Sequence, residues 1–124
     1  VRVFKTRWFS RWARKQRLSD RALRAAIEEM EQGLIDADLG GHVYKKRVAL
    51  AGRGKRGGYR TIIAYRLADR AFYMYGFAKN ERSSIDDEDL KTFKAIAREL
   101  LAHGDALLNR LMEDEELFEV LNDE

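Results

Sequence analysis

"GRGKRGGYRTIIAYRL", residues 52–67, decides the fold through the residues after its glycines. Gly52, Gly54 and Gly57 satisfy the G-x-G-x-x-G spacing of a dinucleotide-binding turn. That turn works when a helix comes next, because the helix N-terminus holds the pyrophosphate. Here "YRTIIAYR" comes next, with Tyr59, Thr61, Ile63 and Tyr65 alternating onto one face in the period of a strand. A P-loop is refused as well, since position 58 is Gly where that motif needs Lys. The stretch therefore reads as a flexible basic hairpin between two strands, its glycines tolerating positive φ. No nucleotide cofactor is expected.

Outward from this hairpin, "VYKKRVAL" (43–50) is the preceding strand, and "RAFYMYGFAK" (70–79) comes after a turn at "LADR". Before them lie a short strand, "VRVF", and two helices. Thr6 or Ser10 is placed to cap the first helix, in which Trp8, Phe9 and Trp12 read as core. Ser19 and Asp20 open the second, where Leu23, Ala26, Ile27, Met30 and Leu34 keep the 3.6 period until Gly33 stops the helix. After the strands, Ser84 reads as the N-cap of a third helix. Asp86, Asp87, Glu88 and Asp89 load the positive end of its dipole, and Gly104 ends it. "DALLNRLMEDEELFEVL" (105–121) reads as a last amphipathic helix capped by Asp105. The order β–α–α–β–β–β–α–α predicts an α+β domain over 1–124. It comprises an antiparallel sheet of about four strands, an N-terminal helical hairpin and C-terminal helices, with 105–124 as an extension.

Composition narrows the chemistry. The 124 residues contain no Cys, which excludes disulfides and thiolate metal sites. The net charge of +3 hides a steep division. Residues 1–82 carry 20 Lys/Arg against 8 Asp/Glu, and the remainder carries 4 against 13. A basic body with an acidic end points to a polyanionic partner for the body. No apolar run approaches a membrane span and no secretory signal is visible, so a cytoplasmic protein without membrane partners is expected.

The cations concentrate between residues 42 and 82, interleaved with Tyr44, Tyr59, Tyr65, Phe72, Tyr73, Tyr75 and Phe77. Basic groups bind phosphates, and ring faces stack bases. His42 and His103 are far apart, and His42 reads as a polar loop residue rather than a general base. The acids of "DDED" already have a dipole role, so no metal is expected there. What this residue set supports is metal-free phosphoryl chemistry. RNA supplies its own nucleophile, the 2′-OH. A lysine crowded by cations serves as base, and arginines stabilise charge on the phosphorane oxygens.

"YKKRV", "GRGKRGGYR", "FYMYGFAKNERSSI" and the element order resemble the RelE/ParE superfamily of type II toxin–antitoxin toxins, nearest to its RelE-like HigB branch, over roughly residues 1–103. The resemblance implies a RelE-like microbial RNase fold. It implies a metal-independent, cofactor-free mRNA endoribonuclease that acts on the ribosome and inhibits translation. It also implies a cognate helix-turn-helix antitoxin, through which alone operator DNA is bound. By position, Lys45 and Arg47 match the family's basic pair, Arg60 its phosphate-binding arginine, and Lys79 and Arg82 its basic segment after the last strand. Two positions depart. Asn80 stands where RelE-type enzymes carry a catalytic arginine, and Asp86 stands near their C-terminal tyrosine. Lys55 is the candidate to supply the missing cation, and either Lys45 or Lys55 is the candidate base. Lys46, Arg53, Arg56 and Tyr59 are candidate RNA contacts. A ParE-like gyrase poison and a non-catalytic nucleic-acid binder remain the alternatives.

Overall fold

Six strands and four helices make up the computed structural model, which describes residues 1–50, 54–78 and 85–121; the side chains of residues 50 and 54–57 are outside the description. In chain order the elements are β1 (Arg2–Thr6), α1 (Arg7–Lys15), α2 (Asp20–Glu31), β2 (Ala37–Asp38), β3 (Val43–Leu50), β4 (Gly54–Arg66), β5 (Arg70–Ala78), α3 (Asp87–Ala102), α4 (Asp105–Glu113) and β6 (Leu117–Val120). They form one sheet of order β2-β3-β4-β5-β1-β6.

The α+β class agrees with the sequence reading; the sheet itself does not. It has six strands rather than about four, and it is mixed rather than antiparallel. β1 runs parallel to β5, with Arg2 opposite Arg70, and antiparallel to β6, with Val3 opposite Val120. The expected final helix stops at Glu113. The chain turns at Glu115, whose φ is 60°, and Leu117–Val120 becomes an edge strand. That strand saturates the free edge of β1 and buries Leu117 and Val120 on opposite sheet faces. Glu119 there accepts two hydrogen bonds from the Arg2 guanidinium, at 2.9 and 3.0 Å. Nor do α1 and α2 stand apart as a hairpin: both lie on one face of the sheet, α1 mainly over β5 and β1, α2 mainly over β3.

Period-two alternation along the strands produces two cores. Val3, Ile63 and Tyr73 face α1 and α2 together with Phe9, Leu23, Ile27 and Met30. Phe4, Ile62, Ala64, Phe72 and Phe77 face the other way, where Ala97, Leu100 and Leu101 of α3 and Leu108 of α4 cover them. The caps explain where the helices start. Thr6 Oγ1 accepts from the Phe9 N–H at 3.2 Å, and Ser19 Oγ accepts from the Ala22 N–H at 3.1 Å. Gly33, at φ 92°, lies just past the end of α2 as expected. The cap of α3 is Asp86 rather than Ser84, which lies outside the described residues; the Asp86 carboxylate accepts from the Asp89 N–H at 2.8 Å. Gly104, not Asp105, occupies the cap position of α4, and Asp105 instead accepts from Arg70 Nη2 at 2.9 Å.

Tyr73 is fully buried, and its hydroxyl donates to the Leu23 carbonyl at 2.7 Å. Burial, reinforced by Glu29, raises its phenol pKa well above the usual value; burial also raises Tyr65 and Tyr44. A raised phenol favours the neutral form in the fold. Its contribution is therefore complete below about pH 10 and is lost as pH rises through the folded value. Thermal melts should show stability falling above about pH 10. Tyr73→Phe should flatten that fall while costing about 1 kcal/mol at neutral pH for the lost hydrogen bond. An unaltered alkaline slope in the variant would place the effect elsewhere.

Candidate active site

The β3–β4 hairpin builds the site. β3 and β4 pair antiparallel with Arg47 directly opposite Arg60 and Lys45 opposite Ile62. Val43 belongs to the α3-side core, so Lys45 and Arg47, two and four residues further, project from the same face. Arg60 shares that face with Ile62 and Ala64, and its partner on β5 is Phe77. Three half-buried cations are thus brought together on one side of one hairpin.

Like charges directly opposite each other on a sheet repel. Asp36, just before β2, offsets one of them. Its carboxylate accepts from the Arg47 backbone N–H at 2.6 Å and from Arg47 Nε at 3.2 Å. These bonds fix the guanidinium while leaving its outer nitrogens without an acid among the described residues. Asp36 is a positioning residue that sequence reading missed, because nothing local in "IDAD" indicates a bond eleven residues away. Arg60 receives no such compensation. Its Nη1 is buried and has no hydrogen-bond partner among the described residues. An unsatisfied buried donor costs roughly 1–3 kcal/mol, and more when charged, so this nitrogen is poised for an anion.

Lys46 does not join the cluster. Strand alternation sends it through the opposite face, where it is 2% exposed and Nζ donates to Glu29 Oε1 at 2.7 Å and to the Leu34 carbonyl at 2.9 Å. Period two alone separates Lys46 from Lys45 and Arg47, a signal already present in "YKKRV". Lys46→Ala should destabilise the fold by about 2 kcal/mol, below the full range for a buried pair because Glu29 is partly exposed. Denaturant midpoints check this, and the RNA affinity of the folded fraction should not change. An unchanged midpoint with weakened RNA binding would return Lys46 to the site. Tyr59 also faces away from Arg60, its hydroxyl donating to Gln16 Oε1 at 2.8 Å and its ring packed edge-on against Trp12.

The glycine-rich stretch is strand from Gly54 onward rather than an open loop. β3 is irregular between Val48 and Leu50, and a Cβ on Gly58 would sit 2.0 Å from the Val48 carbonyl oxygen. Gly58 therefore allows one backbone to cross close against the other, two residues before Arg60. Lys55 and Arg56 belong to β4, but their side chains are outside the description. Arg53, Lys79, Asn80 and Arg82 lie outside the described residues altogether.

A second cationic cleft of about 310 Å³ lies between the β2–β3 turn and α3, lined by His42, Arg66, Lys94 and Arg98 among others. Lys94 rests its aliphatic stem on Gly41, where a Cβ would meet it at 3.0 Å. Sequence reading missed Lys94 and Arg98, which are separated from the hairpin in sequence. Among the described residues no group of His, Asp and Glu is placed to hold a metal ion, and no helix is long and apolar enough to cross a membrane. The arrangement can bind a phosphate and stabilise added negative charge on it, with Lys45 on the same face and the Asp36 carboxylate engaged by Arg47.

No curated protein matches the chain. Residues 1–120 do match the family model described as the RelE toxin of the RelE/RelB toxin–antitoxin system, and with that span covered the protein belongs to the RelE toxin family.

Proposed function

We propose that the protein is a metal-independent endoribonuclease that cleaves mRNA, on the ribosome, and so stops translation. Membership of a toxin–antitoxin family supports the toxin role and a neutralising antitoxin partner. The observation that carries the catalytic reading is the opposed pair Arg47–Arg60, with Arg60 Nη1 buried and unpartnered among the described residues. Lys45 or Lys55 takes the proton of the RNA 2′-OH. The 2′-oxygen bonds to the adjacent phosphorus, and the bond from phosphorus to the 5′-oxygen breaks. The leaving oxygen takes up a proton, giving a cyclic phosphate and a 5′-hydroxyl. Arg47 and Arg60, with Arg82, hold the phosphorane oxygens, and Asn80 orients the substrate. The similarity to the HigB branch supports a helix-turn-helix antitoxin.

Purified protein added to a translation extract should cleave message and leave 5′-hydroxyl ends. Intact mRNA at saturating protein would overturn this function. Inhibition of gyrase supercoiling in the same preparation, without RNA cleavage, would replace it with the ParE-like activity. Salt-sensitive RNA binding without product would leave a binding module.

A further inference from the structure

The first helix presents an aromatic and cationic face that the Arg60 site does not use. "RWFSRWARK" contains Arg7, Arg11, Arg14 and Lys15 and no acid. Phe9 enters the core and Trp12 packs against it as the sequence suggests, but Trp8 does not: it is 47% exposed. Trp8, Arg11, Trp12 and Lys15 fall at i, i+3, i+4 and i+7, and with Arg7 they line a cleft of about 440 Å³. Arg7 is engaged by Glu116 and by the carbonyls of Asp114 and Glu115. Arg11 and Lys15 are exposed and have no acid partner among the described residues.

A single exposed tryptophan needs no explanation, but this one belongs to a row. Trp8 stacks on Tyr75 at 4.6 Å and lies nearly parallel to Trp12 at 6.2 Å. Tyr75 contacts Phe77 at 6.1 Å, and Phe77 is the strand partner of Arg60. Trp12 is held in turn by Gly76, where a Cβ would sit 2.2 Å from the indole. Rings therefore run from beside the anion-seeking arginine to a solvent-facing indole flanked by free cations. α1 covers the sheet face opposite Arg60, but Trp8 meets Tyr75 where β5 runs on past its pairing with β1. Tyr75 packs with the α3-side core, so the row passes around the end of β1 to the Arg60 face; Tyr75 to Phe77 is a further step of roughly 7 Å. A protein helix docked here would need carboxylates facing both Arg11 and Lys15 to offset their desolvation, whereas any nucleic-acid strand supplies a base face and phosphates together.

We propose that this face of α1 is a stacking subsite for single-stranded RNA. A base lies on the exposed part of Trp8, and Arg11 and Lys15 hold the flanking phosphates. The subsite rests on the ribonuclease reading for the identity of its strand, because the same RNA crosses Arg60.

The test uses a 2′-O-methyl oligoribonucleotide, which binds but cannot be cleaved. The chain has two tryptophans, so its intrinsic fluorescence reports the contact directly. Titration should quench the wild type. Trp8→Ala should raise Kd roughly ten- to hundredfold, and Trp8→Phe should restore most of the affinity. Because Trp8 also packs on Tyr75, the exposed double variant Arg11→Ala/Lys15→Ala gives a reading free of folding effects. It should reduce the salt slope of log K by about 1.4, two phosphates at roughly 0.7 each. No quenching, or unchanged Kd and salt slope in the variants, overturns the subsite. So does oligonucleotide affinity retained by Trp8→Ala alongside lost binding of an antitoxin. Quenching by a protein that cleaves no message leaves the subsite standing and removes the ribonuclease reading. Cleavage with KM unchanged in Trp8→Ala does the reverse.

Discussion

Arg60→Ala should lower the rate of RNA cleavage by about 10²–10³, the loss typical for one preorganised donor to a developing oxyanion, or roughly 3–4 kcal/mol. The contact strengthens as charge develops on the phosphorane, so kcat should fall with little change in KM. Stability should move in the other direction, or not at all. Arg60 Nη1 has no partner among the described residues to lose, and Arg47 faces it directly as a like charge. Removing Arg60 therefore relieves a repulsion rather than breaking a bond. Arg60→Lys should recover little, because an ammonium cannot reproduce the planar fork. Single-turnover cleavage measured beside a thermal melt separates the two effects. A rate within a factor of three of wild type, about 0.6 kcal/mol, would take Arg60 out of the site.

Truncation after Glu116 should abolish stable folding. It deletes β6, whose Leu117 and Val120 are 2% and 1% exposed. Burying two such side chains contributes about 3–6 kcal/mol, against a total stability of about 5–15 kcal/mol for a typical domain. The cut also exposes the backbone edge of β1 and removes Glu119 from Arg2. Leu117→Ala alone should cost about 2–5 kcal/mol. Circular dichroism and limited proteolysis read both variants. A truncated chain that melts with the full one would make β6 dispensable.

How much of this was legible in the sequence depends on the range of the interaction concerned. Thr6, Ser19 and Gly33 act within a few residues, and each does what its type and position indicate. The strands at 43–50 and 58–66 announce themselves by alternation. β6 was hidden because "EELFEVL" satisfies helical spacing as well as strand spacing, and only the vacant edge of β1 chooses between them. The parallel pairing of β1 with β5 leaves no local trace. The same limit governs the site. Lys45, Arg47 and Arg60 came from the family resemblance, and the structure places all three on one face of the β3–β4 hairpin. Asp36 beneath Arg47, Glu29 beneath Lys46 and the exposure of Trp8 depend on how distant segments meet.

β1 also has a consequence for biosynthesis. It is made early, yet its partners are made late: Thr6 reaches Met74 across 68 positions, and Arg2 reaches Glu119 across 117. Loops this long must close before their contacts contribute anything, which slows folding and makes it cooperative. Because β1 lies between β5 and β6, a chain still short of residue 120 has an incomplete sheet. Until residue 120 has been made, the β1 edge that β6 covers has no partner strand, so the native sheet is completed only after nearly all of the described chain has been synthesised.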